Sequence, residues 1–152
     1  MKNLFFLAIL VLIATSSCSQ KSNSIKVPAA VSDAFKAKFP TSTPIKWENE
    51  NSTEYEAEFK IDGVECSANF DQTGKWLETE TEIEISKIPI PVSQALAKNF
   101  EGYKVEEAEK IEKPDSIINY EVEVLKGKEK VEIHISKSGE ILKKEIEKGD
   151  KD

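Results

Sequence analysis

Apolar and charged residues alternate most clearly over Tyr55–Glu80, where Tyr55, Ala57, Phe59 and Ile61 interleave with Glu54, Glu56, Glu58 and Lys60. A period of two puts the first set on one face of a strand and the second on the other. Asp62-Gly63 predicts a two-residue hairpin turn with positive φ at both positions. Val64, Cys66, Ala68 and Phe70 then continue the apolar face, and Asp71-Gln72-Thr73-Gly74 turns the chain into a third strand. In that strand Leu77, Thr79, Thr81, Ile83 and Ile85 alternate with Glu78, Glu80, Glu82 and Glu84.

The same pattern returns over Tyr120–Glu145. Setting Tyr55 on Tyr120 sets Gly74 on Gly139 and Glu80 on Glu145 without a gap, an offset of 65. Upstream of each triple strand lies one helical pattern. Val31, Ala34, Phe35, Lys38 and Phe39 recur at helical spacing from Pro28 to the stop at Pro40, and Val92, Ala95, Leu96, Asn99 and Phe100 do so from Pro91 to Gly102. The helices correspond at an offset of 61. The second copy therefore gains residues between helix and hairpin, and Lys110–Asn119, with its Lys113-Pro114-Asp115-Ser116 loop, is the expected place. A weaker strand is expected in each gap, at Ile45–Asn49 with Trp47 and at Lys104–Ile111. The expected fold is α+β: two helix-plus-four-strand repeats, residues 27–86 and 87–148, forming one antiparallel sheet of up to eight strands. Two helices cover one face, and the other looks into water.

The ends add a location. Lys2, the apolar run Leu4–Ala14 and the small residues Thr15-Ser16-Ser17 form an export signal. The run is about eleven residues, and a membrane span needs roughly 20. Cys18 follows directly, and this arrangement resembles a bacterial lipoprotein signal, which implies cleavage before Cys18 and lipidation of its thiol. The alternative is an ordinary secretory signal in which Cys18 is incidental. Residues 18–26 read as a polar tether and 149–152 as a charged tail. The tether lacks the acidic cluster that resembles a surface-export tag, which points to a periplasm-facing anchor in the outer membrane. Membrane contact is expected through that lipid alone.

Charge excludes one class of partner. The chain carries a net formal charge of −7, one unit more negative once Lys2 is removed, and has no arginine. Nucleic-acid affinity depends on basic side chains that neutralise phosphates, so nucleic acid is ruled out. Cys66 lies in phase with the apolar set and reads as a small core residue. His134, the only histidine, falls out of phase with Val131, Ile133 and Ile135 and is expected to face solvent with Glu132. A lone imidazole without other strong ligands makes no zinc site. Glutamates alternating along extended strands do not converge on calcium. No metal or cofactor is expected. Trp47 reads as packing at the sheet edge. No Ser-His-Asp order, HExxH, P-loop or GxGxxG motif occurs, and a one-sided sheet offers no cleft for paired carboxylates, so no enzyme is expected.

The segment Tyr120–Leu142, two alternating strands, a Ser-x-x-Gly turn and a short strand, resembles the PepSY pattern. Its tandem occurrence behind a lipoprotein signal is similar to the PepSY-like, β-lactamase-inhibitory-protein-like secreted family, over Val27–Glu147. The resemblance implies a single curved sheet and a role in binding or inhibiting secreted or periplasmic hydrolases. PepSY domains occur in propeptides of thermolysin-type proteases, and the inhibitory protein engages its enzyme through the open sheet face. That protein presents many aromatics there. The corresponding face here is expected to carry Glu56, Glu58, Glu65, Asn69, Trp76, Glu78 and Glu80, an acidic surface suited to a protein partner with a basic patch and anchored by Trp76. A solvated face with no partner, a small-ligand or cation-binding lipoprotein, and a structural envelope lipoprotein are the alternatives.

Overall fold

A computed structural model describes residues 25–147. The expected signal peptide, the lipidation site Cys18, most of the tether and the charged tail lie outside the described residues. Helices α1 (Ala29–Lys38) and α2 (Ile90–Asn99) accompany eight strands: β1 (Lys46–Asn49), β2 (Glu54–Ile61), β3 (Val64–Asp71), β4 (Trp76–Glu82), β5 (Lys104–Glu112), β6 (Ile118–Lys126), β7 (Glu129–Ser136) and β8 (Ile141–Glu147). They form one antiparallel sheet in chain order, so each strand pairs with its sequence neighbours. Among the described residues no helix is long and apolar enough to cross a membrane.

Helix α1 begins one position after the expected Pro28, and α2 begins one position before the expected Pro91. Pro28 caps α1, with ψ at 145° keeping it outside the helix, and Pro89 does the same for α2, which carries Pro91 in its first turn. Two apolar clusters hold the helices to the sheet. Val31 and Phe35 of α1 pack with Ala57, Phe59, Cys66, Ala68 and Phe70. Here Phe35 meets Phe59 edge-on at 5.0 Å and Trp47 at 5.6 Å, which accounts for Trp47 as packing. Val92, Leu96 and Phe100 of α2 pack with an aliphatic set that includes Val122, Val131, Ile133 and Ile135. Cys66 is buried, as its phase predicts.

Two glycines set how closely helix and turn approach. Gly74 has φ +86°, and a β-carbon there would stand 2.5 Å from the Ala30 carbonyl oxygen. Gly139 has φ +90° and the same 2.5 Å relation to the Pro91 carbonyl. A side chain at either position would push the helix off its turn.

The β5–β6 connection takes up the extra residues. β5 runs nine residues against four in β1, and a 3-10 turn at Pro114–Ser116 follows it. The expected strand continuing through Ile85 stops at Glu82 instead, and Ile85–Lys87 forms a 3-10 turn leading to α2.

Candidate functional site

The polar face is built from residues that alternate with the core. In register, Glu56 stands opposite Glu48 and Asn69, Asn69 opposite Glu78, and Ser67 opposite both Glu58 and Glu80. The series continues as Glu82 opposite Glu109, Glu109 opposite Glu121, and Glu121 opposite His134. Strand pairing alone thus assembles carboxylates from β1 to β7, residues far apart in the chain.

Lysines neutralise the margins. Lys46 reaches Glu48 at 2.8 Å and Glu58 at 3.2 Å, Lys60 reaches Glu65 at 2.8 Å, Lys113 reaches Glu78 at 2.7 Å, and Lys130 pairs with Glu123. The hydrogen bond from Lys60 holds the Glu65 carboxyl below its usual range. The centre has no such relief. Among the described residues no lysine pairs with Glu56, Glu80 or Glu109. Burial and then the Glu78 charge push Glu80 up to about 7, although the Ser67 hydroxyl donates to its Oε2 at 3.1 Å. Burial and then the Glu80 charge raise Glu109 to about 7. Glu121 rises to about 8, from burial and then the Glu132 charge, and burial also raises Glu56. A hollow of about 550 Å³ opens beside them, lined by Ile45, Glu56, Glu58, Lys60, Glu65, Ser67, Glu80 and Glu109 among others.

Three placements differ from the expectations. Trp76 does not stand on the acidic face. A bulge between Asn69 and Phe70 sets Trp76 opposite Phe70 and skips Leu77, so the indole turns to the α1 side. There it donates from Nε1 to Thr79 Oγ1 at 2.9 Å, and Lys38 Nζ lies 3.4 Å from the ring centroid. Asn69 is buried rather than displayed: its Nδ2 lies 3.4 Å from Glu78 Oε1, and its Oδ1 has no hydrogen-bond partner. His134 is partly buried, with Nε2 3.0 Å from Glu132 and 3.5 Å from Glu121. The sequence reading places Glu132 beside His134 and misses Glu121, because only the β6–β7 register brings it there. It also misses Glu109, which sits in the weakly alternating β5. Glu56, Glu58, Glu65, Glu78 and Glu80 all lie on the polar face, as expected.

A single eight-stranded antiparallel sheet carrying two helices and a polar, carboxylate-rich face defines an α+β fold. The chain belongs to the beta-lactamase-inhibitor-like, PepSY-like family, whose pattern matches residues 17–67 and 53–143. Among solved structures it is similar to a BLIP-like protein from Bacteroides fragilis, at 29% identity over 86% of this chain and 93% of that one, with a TM-score of 0.67. A DUF2874 family protein from Bacteroides uniformis matches at 25% identity over 80% and 90% of the two chains, with a TM-score of 0.71. A Bacteroides eggerthii structure, described as a periplasmic protein, shares the fold at 23% identity, 80% and 90% coverage and a TM-score of 0.71. No curated protein sequence matches the chain.

Proposed function

We propose that this chain is a non-catalytic binding module of the bacterial cell envelope that docks a protein with a basic patch, a secreted or periplasmic hydrolase being the favoured class, through its polar sheet face. The module consists of two copies of one helix-plus-four-strand unit whose helices share a face. Supporting the repeat, Gly74 and Gly139 make the same close approach to the first turns of α1 and α2. The export-signal pattern of residues 1–17 ahead of Cys18 supports the envelope setting, and the similarity to a BLIP-like protein supports the binding role.

One observation carries the reading: Glu56, Glu80 and Glu109 form an acidic centre for which the described residues provide no lysine. Carboxylates held together without counter-charge cost stability, and an incoming ammonium or guanidinium group would recover it. The test uses soluble residues 19–152 as bait against envelope and secreted fractions, beside a Glu56→Lys/Glu58→Lys/Glu78→Lys bait. A protein retained by the first and lost by the second supports docking on this face. Identical retention on both sinks it.

A second reading, small-ligand binding, draws on one cleft of about 470 Å³ lined by Lys38, Phe39, Ile61, Trp76, Thr79, Thr81, Ile117 and Ile118 among others. Its test is Trp76 fluorescence during titration with envelope small-molecule extracts. An emission change absent from a Thr79→Val variant would favour it, and a flat signal would reject it.

A further inference from the structure

We infer that Glu121, Glu132 and His134 form a binding site for a first-row divalent transition metal, zinc being the reference ion. These side chains come from β6 and β7 and offer one imidazole nitrogen and two carboxylates, with all ligand atoms within 4.8 Å of one another. The imidazole separates this cluster from the carboxylates around it, since nitrogen with carboxylate oxygen is a donor set for zinc and its neighbours in the series rather than for calcium.

Geometry supports the assignment. Zinc binds these ligand types at about 2.1 Å, so adjacent ligands of a tetrahedral site stand about 3.4 Å apart. His134 Nε2 lies 3.0 Å from Glu132 Oε1 and 3.5 Å from Glu121 Oε2, close to that edge length before any ion is present. The register fixes the arrangement, because Glu121 and His134 are direct cross-strand partners and Glu132 lies two residues from His134 on the same strand. The side chains are each about one-quarter exposed, so they are held by neighbours yet reachable from solvent. The cation closest in register, Lys143 opposite His134, is engaged by Glu145 at 2.8 Å. Glu123 is taken by Lys130, and Glu109 on β5 adds a further negative charge opposite Glu121.

The internal alignment shows that this is a property of the second half. At the offset of 65, Glu121, Glu132 and His134 correspond to Glu56, Ser67 and Asn69. The first half keeps the carboxylate but replaces the other two ligands with neutral groups. The first half therefore serves as an internal control.

The experiment is a titration of untagged, chelator-treated residues 19–152 with zinc chloride, followed by calorimetry and by the ring-proton NMR signals of His134, the only imidazole in the chain. The expected result is saturable binding of one equivalent that shifts or broadens both His134 signals. It should be lost in His134→Ala and in Glu121→Gln, and retained in Ser67→Ala. Calcium chloride should leave the imidazole signals in place. No saturable binding, or zinc binding undiminished by His134→Ala, would overturn the site, the latter leaving only ion condensation on an acidic face. Melting curves of each metal-free variant confirm that it is folded before titration.

Discussion

Replacing Glu80 by glutamine should stabilise the protein at alkaline pH and do little in acid. With its pKa at about 7 against an ordinary 4.5, and at about 1.4 kcal/mol per pH unit, the ionised Glu80 carboxylate costs the fold about 3 kcal/mol at pH 8. Glutamine removes the charge but leaves a buried polar group, whose oxygen can still accept from Ser67 at the 3.1 Å position. The expected net gain is therefore smaller, about 1–2 kcal/mol, or roughly 3–8 °C in Tm. Because the folded-state pKa is raised, the folded protein holds a proton that the unfolded chain releases between pH 4.5 and about 7. Stability is full below that window and falls as pH rises through it. Wild-type Tm should accordingly decline from pH 5.5 to 8.5, with Glu109 and Glu121 contributing in the same direction. The assay is thermal unfolding of wild type and Glu80→Gln at pH 5 and pH 8. A variant that melts at or below wild type at pH 8, or that gains equally at both pH values, would refute a desolvated, repelled carboxylate.

The core and turns give further expectations. Phe35→Ala removes the ring that meets Phe39, Phe59, Phe70 and Trp47, and should cost about 3–5 kcal/mol in urea unfolding. A loss under about 1 kcal/mol would mean that α1 contributes little to the sheet. Gly74→Ala and Gly139→Ala should each cost at least about 2 kcal/mol, since backbone strain adds to a clash with a helix carbonyl. Gly63→Ala has φ +88° but nothing within 4 Å, so it should lose only about 1 kcal/mol. Equal losses at all three positions would remove the close-approach argument.

Much of this architecture is legible in the sequence because strand alternation and helical spacing were clean wherever one face is apolar. The hairpin at Asp62-Gly63 has both residues at positive φ, as the dipeptide predicts. Bulges are where the reading breaks. Nothing in Lys75-Trp76-Leu77 reveals that Leu77 is skipped, yet that irregularity moves Trp76 from the acidic face to the α1 side. β5 is obscured for the same reason: its register shifts between Val105 and Glu107, and Ile111, fully buried, falls opposite Glu80 and Asn119 on the polar face. An apolar residue among glutamates erases the alternation that would have exposed the strand. Glu109, Glu121 and His134 are individually visible in the sequence, but their neighbourhood depends on long-range register. That property belongs to the sheet and not to any local window.

The most direct test of the central claim is the affinity of the captured partner for three forms of residues 19–152. These are wild type, Glu56→Lys/Glu58→Lys/Glu78→Lys, and a helix-side control, Asp33→Lys/Glu101→Lys, each confirmed folded by its melting curve. Docking on the polar face predicts that the first variant loses about 100-fold or more in affinity while the control stays near wild type. Equal affinity for all three forms, or a loss confined to the helix-side control, would contradict it.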